Sequence, residues 1–493
     1  MSAHTISADA ALHRDEADLG HLPYWVRKYR VLERRGLSPT AAILLAIAGG
    51  AGYLQVCPNE FLVMLVFGTT MVEFVRRMDQ GIPLLQITAL LAVLQWLVGP
   101  SITYFTNVAH GRYFMYVVES YYFQFALPAT AAYCIALLML GSSPRQKLLI
   151  QAMDRRQFVR IGFILAAIGV ACFYAAGKAP GGLQFALFLA SQLRYVGALY
   201  FLFSYHRYRY LFAIACCSQL FITSSESGMF HDLIIWLMMI FTFWFAQWKW
   251  RLDQKLLCIT FAFLFVFVIQ AIKQDYREKR MAGMEVTITG EVARLMSNSE
   301  PVLEGEILPL ATARLNQGWI ISAVLANVPF KEPYANGETV IEAIKSSALP
   351  RFLAPDKKMA GGQENFRRFT GLPIENGTSM GISPLGEAFA NFGIHGGILF
   401  MGLFGAFFAL FYNFVLLHVV KHPDFLFWVP LIFYQGIKAE TELVVVMNQL
   451  VKGAVICFGG YWGLRHFVMP YYRPFLGTPA AVGGQPAESD ATV

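Results

Sequence analysis

Apolar residues run along this chain in long blocks, and polar residues gather between them in short stretches. The blocks lie at about 40–57, 60–76, 82–100, 121–141, 160–177, 183–204, 210–224, 229–248, 256–272, 385–418, 425–440 and 443–465. Each is near the length that crosses about 30 Å of hydrocarbon as a helix. The tenth is too long for one crossing, so its first turns are expected to project beyond the bilayer or lie in a mouth. The eleventh is short and is expected to be tilted or broken. The pattern predicts an all-α polytopic membrane protein with about 12 transmembrane helices.

The polar stretches set the boundaries: a charged tail at 1–38, helices 1–9 over 39–272, a large loop at 273–383, helices 10–12 over 384–467, and a tail at 468–493 rich in Gly, Pro and Ala. Arg27, Lys28, Arg30, Arg34 and Arg35 directly precede a full-length apolar block, which is not the pattern of a cleavable signal. With the N-terminus inside, alternate short loops carry Arg76 and Arg77, then Arg145, Lys147, Arg155, Arg156 and Arg160, then Arg207 and Arg209, then Lys249, Arg251 and Lys255, then Lys421, and finally Arg465 and Arg473. The opposite short loops carry only Arg112 and Lys178. That asymmetry predicts cytoplasmic termini and places the large loop outside.

Composition agrees with this and narrows the function classes. Of 493 residues 56% are hydrophobic and 14% charged, too little charge for the surface of a soluble protein of this size. The net charge of +7 is accounted for by the short basic loops, so it implies no nucleic-acid partner. The seven cysteines sit in or beside apolar blocks without metal-ligand or redox spacing, and read as small buried hydrophobes.

Inside the large loop, Leu315, Trp319, Ser322 and Ala326 follow helical spacing. Thr339 to Glu342 forms a capping-box pattern, and Pro350 ends the helix it would start. Gly361, Gly362, Gly371 and Gly377 mark an irregular stretch that could serve as a lid. The loop returns to the membrane through Ser383, read as an N-cap, and Pro384, read as the first helical residue. A helix beginning there presents free N–H groups and a positive dipole end, which suits an anion.

Several residues are candidates for chemistry. Arg314, which opens a helix, and Arg351, which follows Pro350, are the first choices for binding phosphate, because a guanidinium donates to two oxygens at once. Lys357 and Arg367 could support them. Ordinary surface pairing with the loop's glutamates is the bland alternative. Arg194 lies near the middle of the sixth block, beside Ser191 and Gln192, and a charge there faces a protein interior or a wet cavity. A structural pair is its alternative. Glu387, Asn391 and His395 are spaced i, i+4, i+8 and so share one face of a continuous helix. Glu387 and His395 are candidate bases, against helix-dipole complementarity for the first and a satisfied buried histidine for the second. Ser225 to Asp232 forms a second polar helix start, where His231 and Asp232 are possible base or orienting residues and plain capping is the alternative. The sequence holds no P-loop, no Asp-x-Asp in the outer loop and no His-Glu-x-x-His, so neither a cofactor nor a metal is expected. Chemistry outside the membrane without them needs a pre-activated substrate, and a sugar on a lipid pyrophosphate is one.

Arg314-Leu315-Asn316, Leu349-Pro350-Arg351-Phe352-Leu353 with Pro355 and Lys357, and Ser383-Pro384-Leu385-Gly386-Glu387 with Asn391-Phe392-Gly393 and Gly396-Gly397 stand in this order over about 310–405. In these residues and in its topology the chain resembles the bacterial O-antigen polymerase (Wzy-type) family, the oligosaccharide repeat unit polymerases. Many of those proteins carry an arginine near the start of the span after Ser225, where this chain has Glu226 and His231. The resemblance implies a GT-C-like fold in the inner membrane with a periplasmic loop. It implies metal-independent glycosyl transfer from undecaprenyl-pyrophosphate-linked oligosaccharides onto a lipid-linked repeat unit, for O-antigen or exopolysaccharide synthesis. Arg314 and Arg351 would hold the pyrophosphate, supported by Arg194, Arg367 and Lys357, while Glu387, His231 or His395 would activate the acceptor hydroxyl. The lipid bilayer, a flippase and a chain-length regulator are the partners it implies. An O-antigen ligase-like enzyme would use the same donor. A polysaccharide transporter or flippase would be expected to show two comparable halves, whereas here nine blocks precede the loop and three follow.

Overall fold

The computed structural model describes residues 32–33, 36–106, 113–227, 230–265, 315–348, 362–375 and 379–468. It is mostly helical (77%). Among the described residues six helices are long and apolar enough to cross a membrane: Leu84–Thr106, Glu119–Leu140, Phe158–Ala176, Leu183–Leu202, Ser383–Lys421 and Leu443–Val468. Shorter apolar helices stand among them, including Pro39–Leu54, Arg209–Ser224 and His231–Phe245.

The first described residues form a short antiparallel pairing of β1 (Leu32–Glu33) with β2 (Ser143–Pro144). Helices α1 (Pro39–Leu54) and α2 (Asn59–Arg77) form a hairpin. Ser38 caps α1 by accepting the Ala41 N–H, and its own hydroxyl donates to Glu73 on α2 at 2.6 Å. Next come α3 (Leu84–Val93), a π-helical turn at Leu94–Val98, and α4 (Gly99–Thr106). Helix α5 (Glu119–Leu140) is the hub. Tyr122, Phe123, Phe125, Ala126, Leu127 and Ala129 are all buried, so most of its circumference is enclosed by neighbouring helices. It packs against α1, α3 and the long helix near the C-terminus.

A short α6 (Gln146–Gln151) leads to α7 (Phe158–Ala176), α8 (Gly181–Ser191), α9 (Leu193–Leu202), α10 (Arg209–Ser227) and α11 (His231–Phe245). The run from 181 to 202 is interrupted at Gln192. Helix α7 packs closely on both of its halves.

The described part of the large loop is built into this helical body. Helix α12 (Gly318–Asn327) is almost wholly buried and packs on α4 and on the long helix. Asn316, just before it, donates to Thr103 on α4 at 2.8 Å. Helix α13 (Glu338–Ala348) packs along the last helix, and α14 (Gln363–Thr370) packs on α12. The expected capping box at Thr339 is not formed as such. The helix already begins at Glu338, and the Thr339 hydroxyl instead accepts from Asn391 at 2.7 Å, a partner far away in sequence.

Helix α15 spans Ser383–Lys421 but is broken at Gly393, where φ is 64° and ψ −160°. Only glycine adopts that conformation readily. The break corrects the expectation of one continuous face through Glu387, Asn391 and His395. Beyond it come a 3-10 turn (Pro423–Trp428), α16 (Val429–Phe433), the irregular segment 434–442, and α17 (Leu443–Gly463) with a terminal π-helical turn.

Candidate functional site

The first turn of α15 is fixed from inside. Ser383 accepts the Gly386 N–H through its hydroxyl at 3.3 Å, so it caps the helix as the Ser-Pro pair suggests. Glu387 follows one turn later and is 0% exposed. Its Oε1 accepts the Leu443 N–H at 2.7 Å, and Leu443 is the first residue of α17. One carboxyl group therefore lies at the starts of two helices and accepts one of the N–H groups that a helix start leaves without an intrahelical partner. Asn391 finishes the unit. It donates to the Glu387 carbonyl at 2.8 Å and accepts the Gly337 N–H at 3.0 Å. The backbone of 335–336 adds two hydrogen bonds to the carbonyls of Ala390 and Asn391. Gly337, at φ 89°, gives the turn its left-handed residue. The loop segment 334–339 is thus laced to the start of α15.

A third helix start joins the other two. His231, first residue of α11, faces Glu440 through Nε2 at 3.3 Å and Asp232 through Nδ1 at 3.7 Å. Lys438 donates to Asp232 at 3.3 Å and lies over the Tyr434 ring at 4.2 Å. Segment 434–442 thereby ties α11 to α17. A Cβ at Gly381 would fall 3.1 Å from the Glu440 carbonyl oxygen, so the chain entering α15 packs directly on this segment. Trp96, from the π-helical turn, donates to the Ala439 carbonyl at 3.2 Å and closes the fourth side. Beside Trp96 and Lys438 a cavity of about 10 Å³, room for about one water, is lined also by Thr88, Tyr133, Pro384 and Phe404.

Arg194 is connected to this cluster through a chain of ring contacts. Tyr434 stacks on Trp236 at 5.5 Å, and Trp236 lies 4.8 Å from Tyr195. Tyr195 accepts from the Arg194 guanidinium at 2.9 Å, while Gln219 on α10 accepts from its other terminal nitrogen at 3.0 Å. Phe173 on α7 covers the guanidinium at 4.7 Å. Arg194 is 4% exposed, its Nε has no hydrogen-bond partner, and among the described residues no carboxylate pairs with it. A permanently charged group in that setting is stabilised strongly by an anion.

The structure brings some expected residues together and separates others. His231 meets segment 438–443 at Glu440, and Glu387 meets it at Leu443. Glu387 is fully enclosed, with Oε1 engaged by the start of α17 and Oε2 without a hydrogen-bond partner among the described residues. His395 lies past the Gly393 break and bonds Tyr53 of α1 at 2.7 Å, outside this network, which corrects its grouping with Glu387. Arg367 holds the Ile374 carbonyl at 2.5 Å on the loop surface. Its neighbour Arg368 ties α14 to Glu332 at 2.6 Å and to Glu338 at 3.0 Å, and the bond to Glu332, ahead of that to Glu338, raises the guanidinium above its ordinary pKa. Arg314, Arg351 and Lys357 lie outside the described residues, as do the side chains of Ser225 and Glu226. Sequence reasoning missed Lys438 and Glu440. The rule that singled out Arg194, a charge inside an apolar block, applies equally to Lys438 in the block at 425–440.

A family model described as a domain of unknown function (DUF8712) matches residues 65–423, most of the chain, and the chain belongs to that family. No curated protein and no solved structure matches it.

Proposed function

We propose that this member of the family is a lipid-linked oligosaccharide polymerase of the bacterial inner membrane. In this reading about 12 helices span the membrane in a GT-C-like arrangement, with both termini cytoplasmic and the large loop periplasmic. The donor is a glycan on undecaprenyl pyrophosphate, and the acceptor is a lipid-linked repeat unit. Arg194 is the observation that supports the reading most. Among the described residues it is a buried guanidinium held by neutral groups, two aromatic rings and a glutamine, and a chain of ring contacts joins it to a charged cluster where three helices begin. Such a site suits a pyrophosphate whose charge grows as the glycosidic bond to it breaks. Arg314, Arg351, Lys357 and Arg367 would complete the cationic side from the loop. The chain-length regulator and flippase implied by the resemblance would be its partners.

The test is polymer formation in membranes supplied with the lipid-linked repeat unit. Wild type gives a ladder of products. Arg194→Leu is expected to abolish it at matched expression, and Arg194→Lys is expected to restore part of it, because a lysine keeps the charge without the fork of donors. A full ladder from Arg194→Leu would remove the support this residue gives.

A further inference from the structure

Four ionisable side chains meet in one chain of contacts where α11 reaches the segment before α17: Glu440, His231, Asp232 and Lys438. They differ in access. Lys438 is nearly enclosed, with 4% of its side chain exposed, whereas His231, Asp232 and Glu440 are 39%, 46% and 41% exposed. Glu387, by contrast, is sealed off and its Oε1 is taken by the Leu443 N–H.

We infer that Glu440 is the base that receives the proton of the acceptor hydroxyl, with His231 and the Lys438–Asp232 pair as positioning residues. The inference rests on the glycosyl-transfer reading above. An ionised carboxylate only accepts hydrogen bonds, and Glu440 meets His231 through Oε1 alone, leaving Oε2 on a side chain that substrate can reach. His231 is a poorer receiver because both of its ring nitrogens face carboxylates, Glu440 on one side and Asp232 on the other. Its place is to hold Glu440 in orientation. Lys438 anchors the segment from beneath by pairing with Asp232 and lying on the Tyr434 ring. The Glu440 backbone is pinned against Gly381 at the entrance to α15. Among the described residues Asp232 on α11 and Lys438 on its own segment are charged groups that face the Glu440–His231 pair. Glu387 and Glu442 stand next along, buried at the start of α17.

In the step, the acceptor O–H bond breaks and its proton passes to the Glu440 carboxylate. The freed oxygen pair forms the bond to the donor's anomeric carbon. The bond from that carbon to the lipid pyrophosphate breaks, and its electron pair leaves on the pyrophosphate oxygen, facing the cationic side of the site. No oxidant, metal or further reactant is needed.

The experiment uses the full chain in nanodiscs with an undecaprenyl-pyrophosphate-linked repeat unit. Turnover is measured across pH, and binding of the same lipid is measured separately. Glu440→Gln is expected to lower turnover about 100-fold or more with lipid binding unchanged, the usual scale for losing a general base. Glu440→Asp is expected to recover a good part of it. The limb of the pH profile that rises with deprotonation should vanish in Glu440→Gln and persist in Glu440→Asp. Turnover of Glu440→Gln within about threefold of wild type would overturn the inference while leaving the polymerase reading intact. Loss of lipid binding together with turnover would also overturn it, since that is the mark of a structural role. A wild-type protein that forms no new glycosidic bond would bring down both.

Discussion

Glu387 offers the sharpest separation of a structural from a chemical role. It is 0% exposed, and one of its oxygens satisfies the Leu443 N–H, one of the donors that a helix start leaves without an intrahelical partner. Glu387→Ala removes that acceptor inside a closed environment and leaves a gap beside it. An unsatisfied buried donor costs about 1–3 kcal/mol, and the lost packing adds about as much, so a destabilisation of about 2–6 kcal/mol is expected. Glu387→Gln keeps an oxygen of nearly the same reach. It loses only the part of the bond that the charge contributes, about 1 kcal/mol. The assay is reversible unfolding in mixed micelles followed by tryptophan fluorescence, paired with polymer formation at a temperature where each variant is folded. The ordering expected is wild type close to Gln, with Ala well below. Two results would refute the reasoning. One is Gln as unstable as Ala, which would mean that the carboxylate itself, and not an acceptor, holds α17. The other is a stable Gln variant with turnover about 100-fold down, which would return Glu387 to the chemistry.

Three more outcomes follow from the same geometry. Gly393→Ala should cost about 1–3 kcal/mol from backbone strain alone, and its Cβ would also press on Tyr334 at 3.1 Å; lower thermal stability with the helix content retained checks it. Asn391→Ala removes bonds to Gly337, Thr339 and the Glu387 carbonyl, so about 2–4 kcal/mol of local stability should go, and limited proteolysis should cut faster within 330–348 than in wild type. Arg368→Ala should cost no more than about 1 kcal/mol, because its pairs with Glu332 and Glu338 are partly exposed, and the difference from wild type should shrink as salt is raised.

The sequence conveyed the helical class because apolar blocks of spanning length need no tertiary information to be seen. Ser383 and Pro384 likewise announce a helix start through purely local chemistry. The Gly393 break was hidden for the opposite reason. A glycine in an apolar block is ordinary in membrane helices, and nothing nearby shows that this one takes a left-handed φ, because what fixes it is the docking of 334–339 from another part of the chain. Thr339 was misread in the same way. Its spacing to Glu342 fits a local cap, but Asn391 outcompetes that use across 52 positions. Lys438 and Glu440 looked like the frayed end of a short block. Their significance comes from α11 arriving beside them, an arrangement that periodicity does not encode. Arg194 was legible as a costly charge, while the neutral character of its partners emerged only once α7, α9 and α10 were assembled around it.

The most direct measurement is the length of the glycan carried by the lipid after incubation with the reconstituted wild-type protein. Proteoliposomes receive undecaprenyl-pyrophosphate-linked repeat units in the outer leaflet, and the lipids are extracted and sized by mass spectrometry. The account expects lipids bearing two, three and more repeat units, with free undecaprenyl pyrophosphate released for each bond formed. Repeat units of unchanged length that have instead moved to the inner leaflet would contradict it and identify a transporter.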